Sequence, residues 1–300
     1  MKTILITGAS GFIGSQLVQA MLGSEGDIKY KLVTLSSVKT DGIINVSHKN
    51  YTFTRQDFID EDIDFIDIVI HVGAFIPKCS AELNDVVRCS SNIQGTLHLI
   101  NNLPNTPNNF IFISTVDVYK QTNCIIDESS ELLPGSLYGH SKLYCEKMLE
   151  NWSEESGVTL QNLRLGHIYG PGEDEYKKLI PITIKRIICG ETPQFFSSGQ
   201  EKRSFLYISD LCQLIINSLK LESYVGPINV VSSNSMTVKG IVKYIASLST
   251  KKFEIIEPES IVKGSDFVFN NAKAEKMLGN EQVSIEDGLA REYEYFRSKN

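Results

Sequence analysis

Along the chain, short apolar runs rich in β-branched residues alternate with stretches whose apolar positions recur every three to four residues, the pattern of strands separated by helices. Thr3-Ile4-Leu5-Ile6-Thr7 is a run of the first kind and ends in glycine, which predicts a buried parallel strand. Ile13, Leu17, Ala20 and Met21 follow at helical spacing. Leu32 to Leu35 and Ile66 to Val72 predict two more strands. A helix is then expected over 81–103, a strand over Phe110 to Ser114, a helix over 137–155 and a strand over Leu160 to Leu165. Strands that alternate with helices imply an α/β protein, a doubly wound parallel sheet of the Rossmann type covered on both faces. Beyond residue 170 the alternation weakens. A helix near 175–188, short strands near 195 and 205, a strand near 228–231 and a last helix over 285–297 remain legible. The expected organisation is a dinucleotide-binding domain over 1–170, to which the 228–231 strand returns, and a smaller α+β lobe over 171–300 that binds substrate.

Three hundred residues exceed one common hydrophobic core, which agrees with a large domain and an appended lobe. With 42% hydrophobic and 22% charged residues the composition is that of an ordinary globular protein. A net charge of −7, without a basic block, argues against nucleic acid as a partner. The six cysteines are scattered and none forms a C-x-x-C pair, so neither a metal site nor a redox dithiol is expected; each reads as a small buried apolar residue. No run approaches the roughly 20 apolar residues of a membrane span, and the apolar start is too short for a signal peptide. A cytoplasmic protein without membrane partners is expected.

Gly8-Ala9-Ser10-Gly11-Phe12-Ile13-Gly14 lies between the first strand and the first helix. Without side chains at Gly8, Gly11 and Gly14 the backbone turns sharply, and a pyrophosphate approaches the N–H groups and dipole of the helix N-terminus. A site selective for an unphosphorylated ribose usually carries a carboxylate at the end of the second strand. Here that position reads Ser36-Ser37-Val38-Lys39, and the first acid is Asp41. Ser36 and Lys39 suit a 2′-phosphate, so NADP is expected ahead of NAD.

Tyr138 and Lys142 lie four apart at the start of a helix and leave the same face. A neighbouring ammonium favours the phenolate and is expected to bring the tyrosine from its ordinary pKa of about 10 toward the working range. Thr115 closes the preceding strand, where hydroxyls point into the ligand crevice of a doubly wound sheet.

Together these segments resemble the extended short-chain dehydrogenase/reductase family, in its nucleotide-sugar epimerase, dehydratase and ketoreductase branch. The resemblance spans nearly the whole chain: Thr7 to Gly14, Asp57-Phe58, Val69 to Ala74, Asn92 to Thr96, Ile113-Ser114-Thr115, Tyr138/Lys142, Arg164 to Gly172 and Arg203 to Asp210. It implies a cofactor site formed by Gly8, Ser10, Gly11, Phe12, Ile13, Gly14, Asp57, Phe58, Val72, Gly73, Ala74, Asn92, Ser114, Tyr138 and Lys142. It also implies catalysis by Thr115, Tyr138 and Lys142, and substrate contacts at Thr115, His167 and Arg203, the last as a diphosphate clamp. Homodimers are common among such proteins.

Departures from the family pattern narrow the reaction. Dehydratases of this branch place an acid directly after the threonine; here Val116 stands there, and Asp117 would point to the opposite face of a strand. His167 replaces a common asparagine, Ser204 a usual aspartate and Lys120 a common glycine. The expected reaction is hydride exchange at a hexose carbon of a nucleotide-linked sugar. Ketoreduction of a 4-keto-6-deoxy sugar with NADPH stands ahead of 4-epimerisation. A non-catalytic NADP-binding regulator is disfavoured, because both Tyr138 and Lys142 are kept.

Overall fold

The computed structural model describes residues 1–23, 30–195, 197–256, 266–280 and 282–299. In chain order the first part comprises β1 (Lys2–Thr7), α1 (Phe12–Leu22), β2 (Tyr30–Ser36), β3 (Ile44–Ser47), α2 (Arg55–Ile59), β4 (Ile68–His71), α3 (Val86–Asn102), β5 (Asn109–Thr115), α4 (Leu137–Ser156) and β6 (Thr159–Leu165). The remainder comprises β7 (His167–Tyr169), α5 (Leu179–Ile188), β8 (Lys202–Tyr207), α6 (Ile208–Ser218), β9 (Ile228–Val230), β10 (Ser235–Thr237), α7 (Val238–Ser247), α8 (Ala272–Leu278) and α9 (Ile285–Ser298).

Seven parallel strands form one sheet in the order β3-β2-β1-β4-β5-β6-β9. Its inner strands are buried on both faces, and successive residues serve opposite cores. Ile4 and Ile6 belong to the core shared with α1 and α5 to α9, whereas Leu5 faces the core under α2, α3 and α4. The chain runs outward from β1 in both directions, so the β1/β4 boundary is the switch point at which such sheets open a crevice. A second sheet, β10-β8-β7, pairs β7 with β8 in parallel and β8 with β10 antiparallel.

Several expectations need correction. Among the described residues no regular strand forms near 195, where a bridge joins Gln194 to Ile256. The helix expected from 175 begins at Leu179, because the preceding residues form a loop that turns at Gly170 and Gly172, both with positive φ. The long helix begins at Val86, where Asp85 caps it by accepting from the Arg88 N–H at 2.9 Å. Cys124 and Cys189 are exposed rather than core residues, while Cys89, Cys145 and Cys212 are buried. Among the described residues no helix is long and apolar enough to cross a membrane, and no cluster of three His, Cys, Asp or Glu residues could hold a metal.

Candidate active site

Gly8 turns the chain out of β1 with a φ of +69°, and a Cβ there would lie 2.6 Å from the Gly73 Cα. At Gly14 a Cβ would lie 2.1 Å from the Gly8 carbonyl oxygen. Both positions exclude side chains because backbone meets backbone. Gly11 caps α1 without any side-chain bond, and the first turn holds no acid, which leaves its N–H groups to an anion. The loop forms one wall of an open cleft of about 310 Å³, lined also by Ser10, Phe12, Ile13 and residues 72–76. This glycine cradle fits a dinucleotide pyrophosphate. Gly14→Ala is accordingly expected to displace this loop and to weaken dinucleotide binding by about tenfold or more, roughly 1.4 kcal/mol. Calorimetric titration checks this.

The cleft floor is held by a polar chain. Gly73 N–H donates to Thr7 Oγ1 at 2.9 Å, and Thr7 Oγ1 lies 2.7 Å from His71 Nδ1. His71 Nε2 lies 3.1 Å from Thr96 Oγ1, whose hydroxyl donates to the Asn92 carbonyl at 2.8 Å. Burial, with the Lys142 charge, pushes His71 down to about 3, so the ring is neutral. Asn92 is spent on positioning: it bonds Phe75 N–H at 2.7 Å and Ser141 Oγ at 3.1 Å, tying the cleft wall to α4.

The other implied cofactor residues also make contacts within the protein. Ser36 is buried, and its hydroxyl accepts from Val38 N–H at 3.3 Å; Lys39 is exposed. Asp57 forms a capping box with Thr54, accepting from its N–H at 2.6 Å and its hydroxyl at 2.9 Å. Phe58 is fully buried in the core under α2, which leaves only its backbone to a ligand. Ser114 donates to Glu146 at 2.5 Å rather than facing the cleft. Lys78 and Arg88, which carried no motif, line the cleft instead. Lys78 pairs with Glu175, and its carbonyl accepts from Lys177 N–H at 3.0 Å, so two loops meet across the cleft mouth.

Tyr138 sits in the first turn of α4. Ser136 caps that helix, and Gly139 lets it approach residues 116–118, since a Cβ there would lie 2.4 Å from the Asp117 carbonyl oxygen. This contact sets the Tyr138 phenol beside Thr115. Lys142, 3% exposed, lies 4.2 Å from the centre of the Phe112 ring. Burial lowers its ammonium to about 8, which leaves it cationic at pH 7. The expected lowering of the tyrosine does not appear. Burial pushes the phenol well above its ordinary 10, the Asp117 charge adds to this, and Tyr138 is a neutral donor.

The reading of Asp117 is also corrected. Residues 116–118 form a 3-10 turn and not a strand, so alternation does not apply. Asp117 N–H donates to Thr115 Oγ1 at 3.2 Å, and its half-buried carboxyl lies beside Thr115 and Tyr138, raised above the ordinary carboxylate range by burial. On the second lobe's side, His167 lies between Phe205 and Phe267, with ring centroids 5.4 and 5.6 Å away. Burial, then Lys178 and Arg203, lower it to about 3. Arg203 is half-exposed on β8 and donates to the Lys202 carbonyl at 2.9 Å. Lys178, at the head of α5, joins this group; its position before a periodic apolar run was its only signal in the sequence. Ser204 is buried in β8 opposite Ser235. Lys120 bonds Glu131 at 2.8 Å outside the site.

A dinucleotide cleft at the switch point of a parallel sheet, with a tyrosine and a lysine buried on the adjoining helix, defines an enzyme of the extended short-chain dehydrogenase/reductase class. Residues 4–230 match the NAD dependent epimerase/dehydratase family, and the chain belongs to it. An uncharacterised UDP-glucose epimerase of Bacillus subtilis is 27% identical over 98% of both chains. Among solved structures, UDP-glucose 4-epimerase of Thermotoga maritima with UDP-glucose superposes with a TM-score of 0.85 at 23% identity, over 99% of each chain. UDP-glucuronic acid 4-epimerase of Bacillus cereus, with UDP-glucuronic acid and NAD, gives 0.84 at 23% identity over 99% and 100%.

Proposed function

We propose that the protein is an NAD-dependent 4-epimerase of a UDP-hexose, which places the epimerase ahead of the NADPH ketoreductase favoured by the sequence alone. The observation that carries the redox chemistry is the buried Tyr138 phenol beside Thr115, with Lys142 buried one turn along the same helix against Phe112. Epimerisation is supported by the full-length likeness to the Bacillus subtilis relative and by the 4-epimerases among the solved structures.

Thr115 hydrogen-bonds the sugar's 4-oxygen and orients it. Tyr138 takes the 4-hydroxyl proton as that carbon is oxidised and returns it when the 4-ketone is reduced on its other face. Lys142 supplies fixed positive charge beneath the phenol. The Gly8–Gly14 loop would hold the pyrophosphate of NAD, and bound there NAD supplies the hydride acceptor together with a positive ring that favours the phenolate. Arg203 and Lys178 are placed to meet the substrate diphosphate, with neutral His167 as a hydrogen-bonding partner.

NAD is proposed over NADP because the family is described as NAD dependent and the Bacillus cereus 4-epimerase binds NAD. Purified protein given UDP-glucose should form UDP-galactose by NMR, with no net change in reduced nicotinamide. Stoichiometric consumption of NADPH when a UDP-4-keto sugar is supplied, or an affinity at least tenfold higher for NADP than for NAD, would overturn this reading.

One observation favours a second reaction. Asp117 beside Thr115 and Tyr138 gives the site a carboxylic acid suited to elimination of water. Mass spectrometry separates the two, since an epimer keeps its mass and a dehydration product is lighter by one water.

A further inference from the structure

Ser114, Arg164 and Asn229 stand in register on three adjacent strands, Ser114 of β5 opposite Arg164 of β6 and Arg164 opposite Asn229 of β9. All three are buried. Glu146 meets this row from α4, one turn beyond Lys142 and two beyond Tyr138. It is 0% exposed, and both of its oxygens are taken. Oε1 accepts from the Ser114 hydroxyl at 2.5 Å and Arg164 Nε at 3.0 Å, and Oε2 accepts from Arg164 Nη2 at 2.6 Å. Arg164 Nη1 donates to the Tyr119 hydroxyl at 2.8 Å, which in turn donates to Asn229 Oδ1 at 2.7 Å.

A buried ion pair is a weak device for stability alone, because desolvating two charges cancels most of their attraction and an apolar pair of similar volume often serves as well. What this one faces gives it another use. Lys142 is buried against the Phe112 ring of β5. The titratable groups around it are neutral His71 of β4, and Cys145 and Glu146 of its own helix; Arg164 of β6 lies behind Glu146. Burial raises Cys145 and keeps it a thiol, so Glu146, ion-paired with Arg164, carries the negative charge.

We propose that Glu146 is a positioning residue for the proton-transfer pair: clamped by Ser114 and Arg164, it fixes α4 on the sheet so that Tyr138 and Lys142 face Thr115, and it supplies the buried counter-charge that keeps Lys142 an ammonium. This rests on the reading of Tyr138 and Lys142 as that pair. The row also links β9, which lies between α6 and β10 in sequence, to the reacting helix through Asn229 and Tyr119.

The test is NMR titration of protein labelled with [ε-13C]lysine, the Lys142 signal being assigned by its loss in Lys142→Arg. In Glu146→Gln its midpoint should fall about one unit below the wild-type value of about 8, so that the ratio of ammonium to amine drops about tenfold at a given pH. Glu146→Asp should restore most of the difference. The double variant Glu146→Leu/Arg164→Met, which exchanges the ion pair for apolar packing, should show a fall in the same direction. A purely structural role would lower the melting temperature of Glu146→Gln without moving this titration. An unchanged midpoint in whichever variant folds overturns the proposal, and so does failure of both to fold, which would make the row a folding element alone. The titration needs no substrate, whereas failure of the epimerase reading would show as absent UDP-glucose conversion by the wild-type protein.

Discussion

Tyr138→Phe is expected to lower turnover about a hundred- to ten-thousand-fold, the usual contribution of a positioned acid or base, with little change in NAD affinity. The hydroxyl lies beside Thr115, and the ring is 6% exposed, so removal of one oxygen leaves the packing of α4 almost unchanged. Burial and Asp117 hold the group as a phenol until bound NAD favours the phenolate, and the proton given in the reductive half is the one that phenolate took from the 4-hydroxyl. The phenylalanine ring can neither give nor take that proton, and the loss should fall on kcat rather than on KM. The check is the initial rate of UDP-galactose formation together with a binding titration of NAD. Retention of more than about a tenth of wild-type turnover, a barrier change under about 1.4 kcal/mol, would remove Tyr138 from the chemistry.

The second large effect is on stability and lies away from the proton-transfer pair. Glu173, in the loop after β7, and Glu292, on α9, are 2% and 0% exposed. Neither Glu292 oxygen, nor Glu173 Oε1, meets a hydrogen-bond donor among the described residues. Two carboxyls in contact without donors must share a proton. Burial pushes Glu173 up from 4.5 to about 7, despite Lys178 and Lys185 on α5, and the same burial with the neighbouring Glu173 charge raises Glu292 well above its ordinary range. The folded protein therefore holds protons that the unfolded chain releases. The stability this represents is complete below pH about 4.5 and is lost as the pH rises through about 7.

Glu292→Gln replaces the shared proton with a permanent amide donor to Glu173. It is expected to stabilise the protein by about 2 kcal/mol at pH 8, or roughly 5 °C in melting temperature, and by much less at pH 5. Thermal melts of both proteins at the two pH values check this. A variant that melts no higher than wild type at pH 8 would show that the pair carries no shared proton.

Much of this molecule was legible in one dimension because the relevant forces are local. The apolar runs at Ile4-Leu5-Ile6 and Phe110 to Ile113 are long enough to be buried on both faces of a parallel sheet. The glycines at 8, 11 and 14 have no other use at such spacing between strand and helix than close approach of backbone to backbone or to an anion. Tyr138 and Lys142 share a helix, so their common face follows from helical periodicity.

Other residues answered to contacts remote in sequence. Nothing near Ser36 says that its hydroxyl will serve Val38 N–H inside a buried strand end, and only the packed sheet decides that. Phe58 entered through the family resemblance, and only the packed core under α2 shows that its ring is buried. Strand periodicity put Asp117 on the wrong face because the chain leaves the sheet at Thr115 and tightens into a 3-10 turn against Gly139, a contact made by α4 from twenty-two residues away.

By itself, then, the sequence determined the parallel sheet, the cofactor loop and the tyrosine–lysine pair, since each is encoded by patterning within one strand, one turn or one helix. The charge state of that pair, the acid beside it, the Glu146–Arg164 clamp and the Glu173–Glu292 contact were decided only by the tertiary structure. Desolvation and ion pairing depend on which elements close over a side chain, and the partners that do so here lie on different strands, loops and helices.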